Sequence, residues 1–225
     1  MQNKPVHHPK KRARRQKDAL PRLLILLLAA ILAFGAGYYF GQKNGAAQRR
    51  RASGILIVNE QNPLSADYVP DELVNLYEMR HSFRLSRADI YLTYSAYLAA
   101  QEMFAAAEAE NVNGFTITSG YRSYQRQAEV YAESKPGYAQ KPGCSEHQTG
   151  LCFDVTAENT GGFENTPQYA WLRKNAHKYG FIQRYPADKA SVTGISYEPW
   201  HYRFVGVDAA TEIYKNNLTL EEYLK

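Results

Sequence analysis

Hydrophobic and polar positions along this chain follow two different periods. Residues 87–111 carry apolar side chains at roughly helical spacing with alanines between them, which predicts one long helix. Residues 115–118 alternate between apolar and polar side chains, as a strand does. We expect further helices over residues 124–133 and over residues 167–179, the latter ended by Gly180.

The other predicted elements are short. Pro70 followed by two acids resembles a helix start. Gly150 permits a tight turn, and the alternation after it predicts a strand through residue 155. Strands are also predicted at residues 55–58, 181–182, 194–198 and 201–205, a short helix from residue 209, and loops at 136–144 and 158–166. The pattern as a whole predicts an α+β fold, with a small, mainly antiparallel sheet flanked by helices.

The first fifty residues differ in composition from the rest. Residues 23–40 form an uncharged, apolar run long enough to cross a bilayer as a helix. Residues 1–22 carry eight Lys and Arg against one acid, so the positive-inside rule places this tail in the cytoplasm. The sequence therefore predicts a single-pass membrane anchor, a linker over 41–54 and an extracytoplasmic domain over 55–225. Secretion after cleavage of a signal peptide is the alternative.

Charge is distributed unevenly along the chain. The formal net charge is +5, but residues 1–51 hold twelve of the 27 Lys and Arg and one of the 22 acids. The remainder has a net charge of −6. No basic stripe is left there to indicate a nucleic-acid partner.

Two separated segments carry the residues of a hydrolytic metal site. His147 and Asp154 lie in one of them, and His201 lies in the other. Catalytic zinc usually takes three protein ligands and leaves a fourth position for water. Glu198 is the candidate base for that water. A lone His is more often structural, and we expect this of His81 and His177, which have no matching partners.

Candidate substrate contacts lie between these elements. Arg122 follows the predicted strand at 115–118, where its guanidinium could pair with a carboxylate or steady a carbonyl oxygen. An ordinary surface arginine is the other interpretation. Gln125 could reach the same pocket, and Trp200 would either wall that pocket or belong to the core.

Three motifs together resemble a known family. They are Ser119-Gly120-Tyr121-Arg122-Ser123, Ser145-x-His147-x-x-Gly150-x-x-x-Asp154 and Glu198-x-Trp200-His201. In this order they resemble the VanY-type D-alanyl-D-alanine carboxypeptidases, zinc peptidases related to L,D-carboxypeptidases and sharing their fold with the hedgehog signalling domain. The resemblance covers about residues 55 to 208. One departure is Cys152, where the family usually has a small residue such as alanine.

The resemblance implies specific roles. It implies one zinc ion per chain held by His147, Asp154 and His201, with Glu198 as base and with Arg122 and Ser145 contacting the substrate. The implied substrate is a peptidoglycan stem peptide that loses its C-terminal D-alanine, and the expected state is a membrane-anchored monomer. An L,D-carboxypeptidase acting on tetrapeptide stems is the close alternative. A zinc-containing module that binds cell-wall peptides without cleaving them is the other, although such a module would not need Glu198.

The two cysteines, Cys144 and Cys152, flank His147. Outside the membrane a disulfide can persist, and the turn at Gly150 could bring the two together. We therefore predict that they pair. A nucleophilic Cys144 with His147 as its base is the rival interpretation, and it leaves Asp154, Glu198 and His201 without roles. Metal ligation by Cys152 requires that its side chain share a face with Asp154, which the alternation allows.

Overall fold

The computed structural model describes residues 54–135, 137–158 and 161–225. Seven strands and six α-helices lie within these residues. The strands are β1 (Leu73–Asn75), β2 (Arg84–Leu85), β3 (Tyr91–Thr93), β4 (Phe115–Ser119), β5 (Cys152–Ala157), β6 (Phe181–Tyr185) and β7 (Glu198–Phe204). The helices are α1 (Tyr94–Ala109), α2 (Tyr124–Glu133), α3 (Pro167–Asn175), α4 (Ala190–Thr193), α5 (Val207–Lys215) and α6 (Leu220–Leu224). Short 3₁₀ helices are formed by Leu76–Glu78, Glu146–Thr149, Phe163–Asn165 and Ala176–Tyr179.

Five of the strands form one sheet in the order β2-β4-β5-β7-β6. Its pairings are antiparallel except that β2 runs parallel to β4. Strands β1 and β3 form a separate antiparallel pair. The predicted α+β class with a mainly antiparallel sheet is thus confirmed.

The two faces of the large sheet have different environments. Phe153 and Val155 of β5 and Tyr202 of β7 belong to the main hydrophobic core, together with buried side chains of α1 and α3. Because successive side chains of a strand point to opposite faces, Asp154 and His201 lie on the other face. The face of the sheet opposite the core therefore carries polar side chains that belong to the candidate site.

Helix α1 is shorter than the predicted helix over residues 87–111. It begins at Tyr94, because the Thr93 side chain accepts a hydrogen bond from the backbone N–H of Ala96 and caps the helix. The residues just before it pair with β1 as strand β3. The helical spacing of the sequence continued into this strand, which hid the boundary.

Several short predictions are wrong. Residues 55–58 form no strand, and instead the Leu56 carbonyl accepts a hydrogen bond from the Arg203 guanidinium. The predicted helix start at Pro70 leads into strand β1, which β3 pairs with. Residues 194–197 form no strand, and a single strand, β7, begins at Glu198 and continues through Pro199 to Phe204. These errors concern pairing partners that are distant in sequence.

The remaining helices agree with their predictions. Helix α2 spans the predicted residues, and its N-terminal cap is Ser123. Helix α3 passes into a 3₁₀ turn that ends at Gly180, whose φ of 83° is left-handed. The predicted C-terminal helix is present as α5, with α6 after it, and both contribute to a second hydrophobic cluster.

The membrane prediction falls largely outside the described residues. The proposed anchor over 23–40, the tail before it and most of the linker are not among them. In the part of the chain that the structure describes, no helix has the length and apolar character needed to span a bilayer.

Candidate metal centre

Asp154 and His201 are neighbours on adjacent strands. Strand β5 pairs with β7 so that these two residues are directly opposite each other. His201 Nδ1 lies 3.0 Å from Asp154 Oδ1, and His201 is buried. The register of two antiparallel strands thus brings together residues 47 positions apart.

His147 reaches the same carboxylate from the 3₁₀ helix before β5. Its Nε2 lies 3.3 Å from Asp154 Oδ2, and its Nδ1 lies 2.7 Å from the Gly120 carbonyl oxygen. In the neutral imidazole, a proton on Nδ1 is donated to that carbonyl, and the Nε2 lone pair is directed at Asp154. Gly120 is required here because a Cβ would lie 2.4 Å from the Tyr91 carbonyl oxygen.

Glu198 lies at the start of β7, three residues before His201. In a regular strand these two side chains would point to opposite faces. However, Gln183 pairs with Tyr202 and Tyr185 with Glu198, so β7 has two more residues than β6 over this stretch. Glu198 Oε2 therefore approaches within 3.7 Å of His201 Nδ1.

The charges of this cluster are strongly coupled. Burial lowers the pKa of His147, but the facing Cys152 and Asp154 outweigh it and raise that pKa to about 9. The same kind of competition raises the pKa of His201 well above its ordinary value. Burial raises the pKa of Asp154, but the two histidines hold it well below the usual range. Burial raises the pKa of Glu198, and His201 only partly opposes this.

Glu146 supports the centre from beneath and was missed by the sequence analysis. Its Oε1 lies 2.8 Å from both Arg184 Nε and Arg203 Nη1, and its Oε2 lies 3.6 Å from His201 Nε2. All four residues are buried. Burial raises the pKa of Glu146, but the two guanidinium groups outweigh it and lower that pKa. The available signal in the sequence was a carboxylate directly before His147, inside the motif that begins at Ser145.

Arg122 lies beside the cluster and is held in place by two side chains. Its guanidinium donates hydrogen bonds to Gln127 Oε1 at 2.8 Å and to Ser119 Oγ at 3.1 Å. Burial lowers its pKa, while Asp154 opposes this effect. Gln125, the residue predicted for this pocket, is exposed on α2, and Gln127 of the same helix contacts Arg122 instead.

Ser145 and Trp200, the two other predicted substrate contacts, lie in the motifs that contain the two histidines of the cluster. Ser145 is buried and immediately precedes the 3₁₀ helix that carries His147. Trp200 is 42% exposed on β7 beside His201, so its ring is accessible to solvent. The core alternative for Trp200 is therefore wrong.

The cysteines do not pair as predicted, since both are free thiols. Cys144 lines a polar cavity of about 520 Å³ with Lys141 and Tyr185. Burial raises the pKa of the Cys144 thiol, which is the opposite of what a nucleophile needs. Cys152 instead faces the histidines: a donor atom of His147, one of His201 and the Cys152 Sγ all lie within 4.8 Å of one another.

The comparison with protein families decides the relationship. The family described as "VanY: D-alanyl-D-alanine carboxypeptidase" matches residues 89–207, a range that contains the whole cluster and Arg122. The chain belongs to the VanY family. The resemblance predicted from three motifs is thus confirmed.

Individual relatives agree with this assignment. A D-alanyl-D-alanine carboxypeptidase of Enterococcus faecalis (strain ATCC 700802 / V583) is 39% identical to this VanY-family chain over 187 residues. The match covers 76% of the chain and 65% of the relative, so the chain spans slightly less than two thirds of that protein's length.

Two solved structures resemble the VanY-family fold described above. A mutant of the vancomycin resistance D,D-pentapeptidase VanY from a VanB-type cassette, in complex with Zn(II), is 36% identical with a TM-score of 0.64, covering 77% of this chain and 99% of its own. The LdcB LD-carboxypeptidase is 38% identical with a TM-score of 0.66, covering 74% and 83%. That structure is described as revealing the molecular basis of peptidoglycan recognition.

Proposed function

We propose that this chain is a zinc-dependent D-alanyl-D-alanine carboxypeptidase that hydrolyses the C-terminal D-alanine from peptidoglycan stem peptides. The observation that carries the proposal is the position of Glu198, a carboxylate 3.7 Å from His201 at the edge of the cluster of two histidines and Asp154. A base beside a metal-type cluster is the arrangement that hydrolysis requires.

The donor set fits one zinc ion per chain. His147 Nε2, His201 Nδ1 and the Asp154 carboxylate converge, and nitrogen and carboxylate donors suit zinc. The other nitrogen of His147 lies 2.7 Å from the Gly120 carbonyl oxygen, a hydrogen bond that fixes the orientation of this ring. The other nitrogen of His201 faces Glu146 Oε2 at 3.6 Å, which is an ionic contact longer than a hydrogen bond. When bound, zinc lowers the pKa of a water and polarises a carbonyl.

Glu198 is proposed to take the proton of the attacking water and to pass it to the amine of the departing D-alanine. Its raised pKa suits this role, because a carboxylate that is a stronger base accepts the proton more readily. Its side chain is only partly exposed, so bulk water competes weakly for the same proton.

Arg122 is proposed to bind the C-terminal carboxylate of the peptide. Its hydrogen bonds to Gln127 and Ser119 fix the guanidinium, so little conformational freedom is lost when the peptide binds. Ser145 and Trp200 are proposed to line the same site, and Gln125 stays a weaker candidate because of its exposure.

L,D-carboxypeptidase activity on tetrapeptide stems is the second candidate. The 38% identity to the LdcB LD-carboxypeptidase is similar to the identity to the D,D enzymes, so overall similarity favours neither. A module that binds cell-wall peptides without cleaving them is disfavoured, since binding alone leaves Glu198 without a role.

The proposed setting is the outer face of a membrane, with residues 23–40 as a single-pass anchor and the enzyme acting as a monomer. Secretion after signal cleavage is the alternative. The apolar run and the eight preceding Lys and Arg support the anchor. Alkaline extraction of membranes would leave an anchored chain in the pellet and release a cleaved one.

The function is tested by incubating the full-length protein with a stem pentapeptide and, separately, with a tetrapeptide, followed by mass spectrometry. We expect the parent to release one terminal alanine and Glu198→Gln to release none. Glu129→Gln, an exposed acid on α2, serves as the matched control and should retain activity. Absence of cleavage of either peptide by a zinc-loaded parent would refute the proposal, and the preferred peptide distinguishes D,D from L,D activity.

A further inference from the structure

Cys152 is the position at which this chain departs from the usual VanY pattern, and its environment differs from that of a core cysteine. A buried free cysteine usually behaves as a small hydrophobic residue. The neighbouring Phe153 and Val155 do pack in the main core. Cys152 and Asp154 alternate with them, and therefore lie on the opposite, polar face of β5.

The sheet register places this thiol against the metal-type residues. Asp154 is opposite His201 and Cys152 is opposite Arg203, so Cys152 is the diagonal cross-strand neighbour of His201. The Cys152 side chain is fully buried. Its Sγ and one donor atom from each of His147 and His201 all lie within 4.8 Å of one another.

These separations are compatible with coordination of one ion. With bond lengths of about 2.0 to 2.3 Å for nitrogen and sulfur, the donors of a tetrahedral zinc site are about 3.3 to 3.7 Å apart. Small side-chain rotations would bring donors within 4.8 Å into that range. Thiolate is, moreover, a preferred zinc ligand.

We propose that the Cys152 thiolate is a direct ligand of the zinc ion, in addition to His147, Asp154 and His201. This inference rests on the metal site of the proposed function. On ligation the S–H bond breaks, a sulfur–zinc bond forms and the proton passes to solvent. A fourth protein ligand occupies the position that catalytic sites usually leave to water, so hydrolysis requires a fifth position or release of the sulfur.

Ligation by Cys152 should have two effects, one on metal affinity and one on turnover. The chain should hold its metal more tightly than a variant without the thiol, because an additional soft ligand is present. It should also turn over more slowly than that variant when both are fully loaded. Cys152→Ala should therefore lower zinc affinity by at least about 10-fold, the smaller end of the change seen when metal-site support is removed.

The test is cobalt substitution of the full-length protein, read by absorption spectroscopy and by metal content. Co(II) bound to thiolate has an intense near-ultraviolet charge-transfer band, whereas Co(II) bound only to nitrogen and oxygen shows the weak visible ligand-field bands alone. We expect the charge-transfer band in the parent and in Cys144→Ala, and its loss in Cys152→Ala and Cys152→Ser. The serine variant keeps the size of the side chain, so it replaces Cys152→Ala if that variant does not fold.

Each outcome decides a separate question. Ligand-field bands without a charge-transfer band in the parent would overturn the ligation by Cys152 and leave the proposed metal site intact. Persistence of the charge-transfer band in both Cys152 variants would also overturn it. If the folded parent binds no Co(II) and no zinc, the metal site of the proposed function fails, and the ligation by Cys152 fails with it.

Discussion

The Asp154 carboxylate contacts two histidines, and Nδ1 of His201, its partner across the sheet, lies 3.0 Å from its Oδ1. This pair is built into the ladder between β5 and β7, where the two residues are directly opposite. Ladder positions are more rigid than loop positions, so the geometry is largely set before any ligand arrives.

Removal of the Asp154 carboxylate should weaken metal binding strongly while the sheet stays intact. We expect Asp154→Ala to lower zinc affinity by more than about 100-fold, since losing a ligand exceeds the 10- to 100-fold effect of losing outer support. Thr156→Ala, on the same face of β5 and two residues further from the cluster, is the matched control. Competition with a chromogenic chelator measures the zinc affinity of each variant. Equal zinc affinities of Asp154→Ala and Thr156→Ala would exclude Asp154 as a ligand.

Zinc binding should release protons over an unusually wide pH range. Without metal, the pKa of His147 is raised to about 9, so both of its ring nitrogens are protonated below that pH. Zinc requires the neutral imidazole, so this second proton must leave when zinc binds. Zinc affinity should therefore begin to fall as the pH drops below about 9, rather than below the ordinary histidine value of about 6.5. Calorimetry in buffers of different ionisation enthalpy counts the released protons, and a count of zero at pH 7 would contradict this prediction.

Arg122 should act on substrate binding more than on the metal. Arg122→Lys keeps the charge but loses the planar, paired donors, so we expect KM to rise by about 10-fold or more with zinc content unchanged. Arg126→Lys, on the exposed side of α2, provides the control. An unchanged KM in Arg122→Lys would assign the substrate carboxylate to another residue.

Glu146 should matter for stability as well as for the site. Glu146→Gln leaves the buried guanidinium groups of Arg184 and Arg203 without their shared carboxylate, which should cost about 3 to 5 kcal/mol in the free energy of unfolding. Glu129→Gln should unfold at the same denaturant concentration as the parent. If Glu146→Gln and Glu129→Gln unfold at the same denaturant concentration, the buried ion pairs of Glu146 do not stabilise the fold.

The same carboxylate predicts an acid dependence of stability. The pKa of Glu146 is lowered in the folded protein, so between its folded value and the unfolded value of about 4.3 the unfolded chain binds more protons. Its contribution is therefore complete above about pH 5 and is lost as the pH falls. The parent should lose stability on acidification more steeply than Glu146→Gln, and parallel curves would contradict this account.

The sequence was informative where chemistry and local spacing coincide. Alternation around Gly150 predicted the turn and the strand that carry His147 and Asp154, and both are present because glycine readily adopts the φ of 64° found there. The association of this segment with Glu198 and His201 was inferred from residue type and family resemblance. The structure brings all four side chains together.

Other features depend on pairing between distant segments, which local patterns do not encode. The two additional residues in β7 that bring Glu198 toward His201 follow from its pairing with β6. Gln127, and not the predicted Gln125, contacts Arg122, because the helical rotation of α2 places Gln127 on the side that faces Arg122. The expected disulfide failed because the strand directs Cys152 toward the histidines.

The network beneath His201 draws on both ends of the described domain. Arg203 donates to the carbonyl of Leu56, 147 residues earlier, and Arg184 forms two hydrogen bonds with Glu221 in the last helix. During synthesis Glu221, which holds Arg184 from the last helix, therefore emerges after His147, Asp154, Glu198 and His201. Full affinity for metal would be reached only after α6 has docked, so metal capture would mark a late stage of folding and distinguish finished molecules from nascent ones.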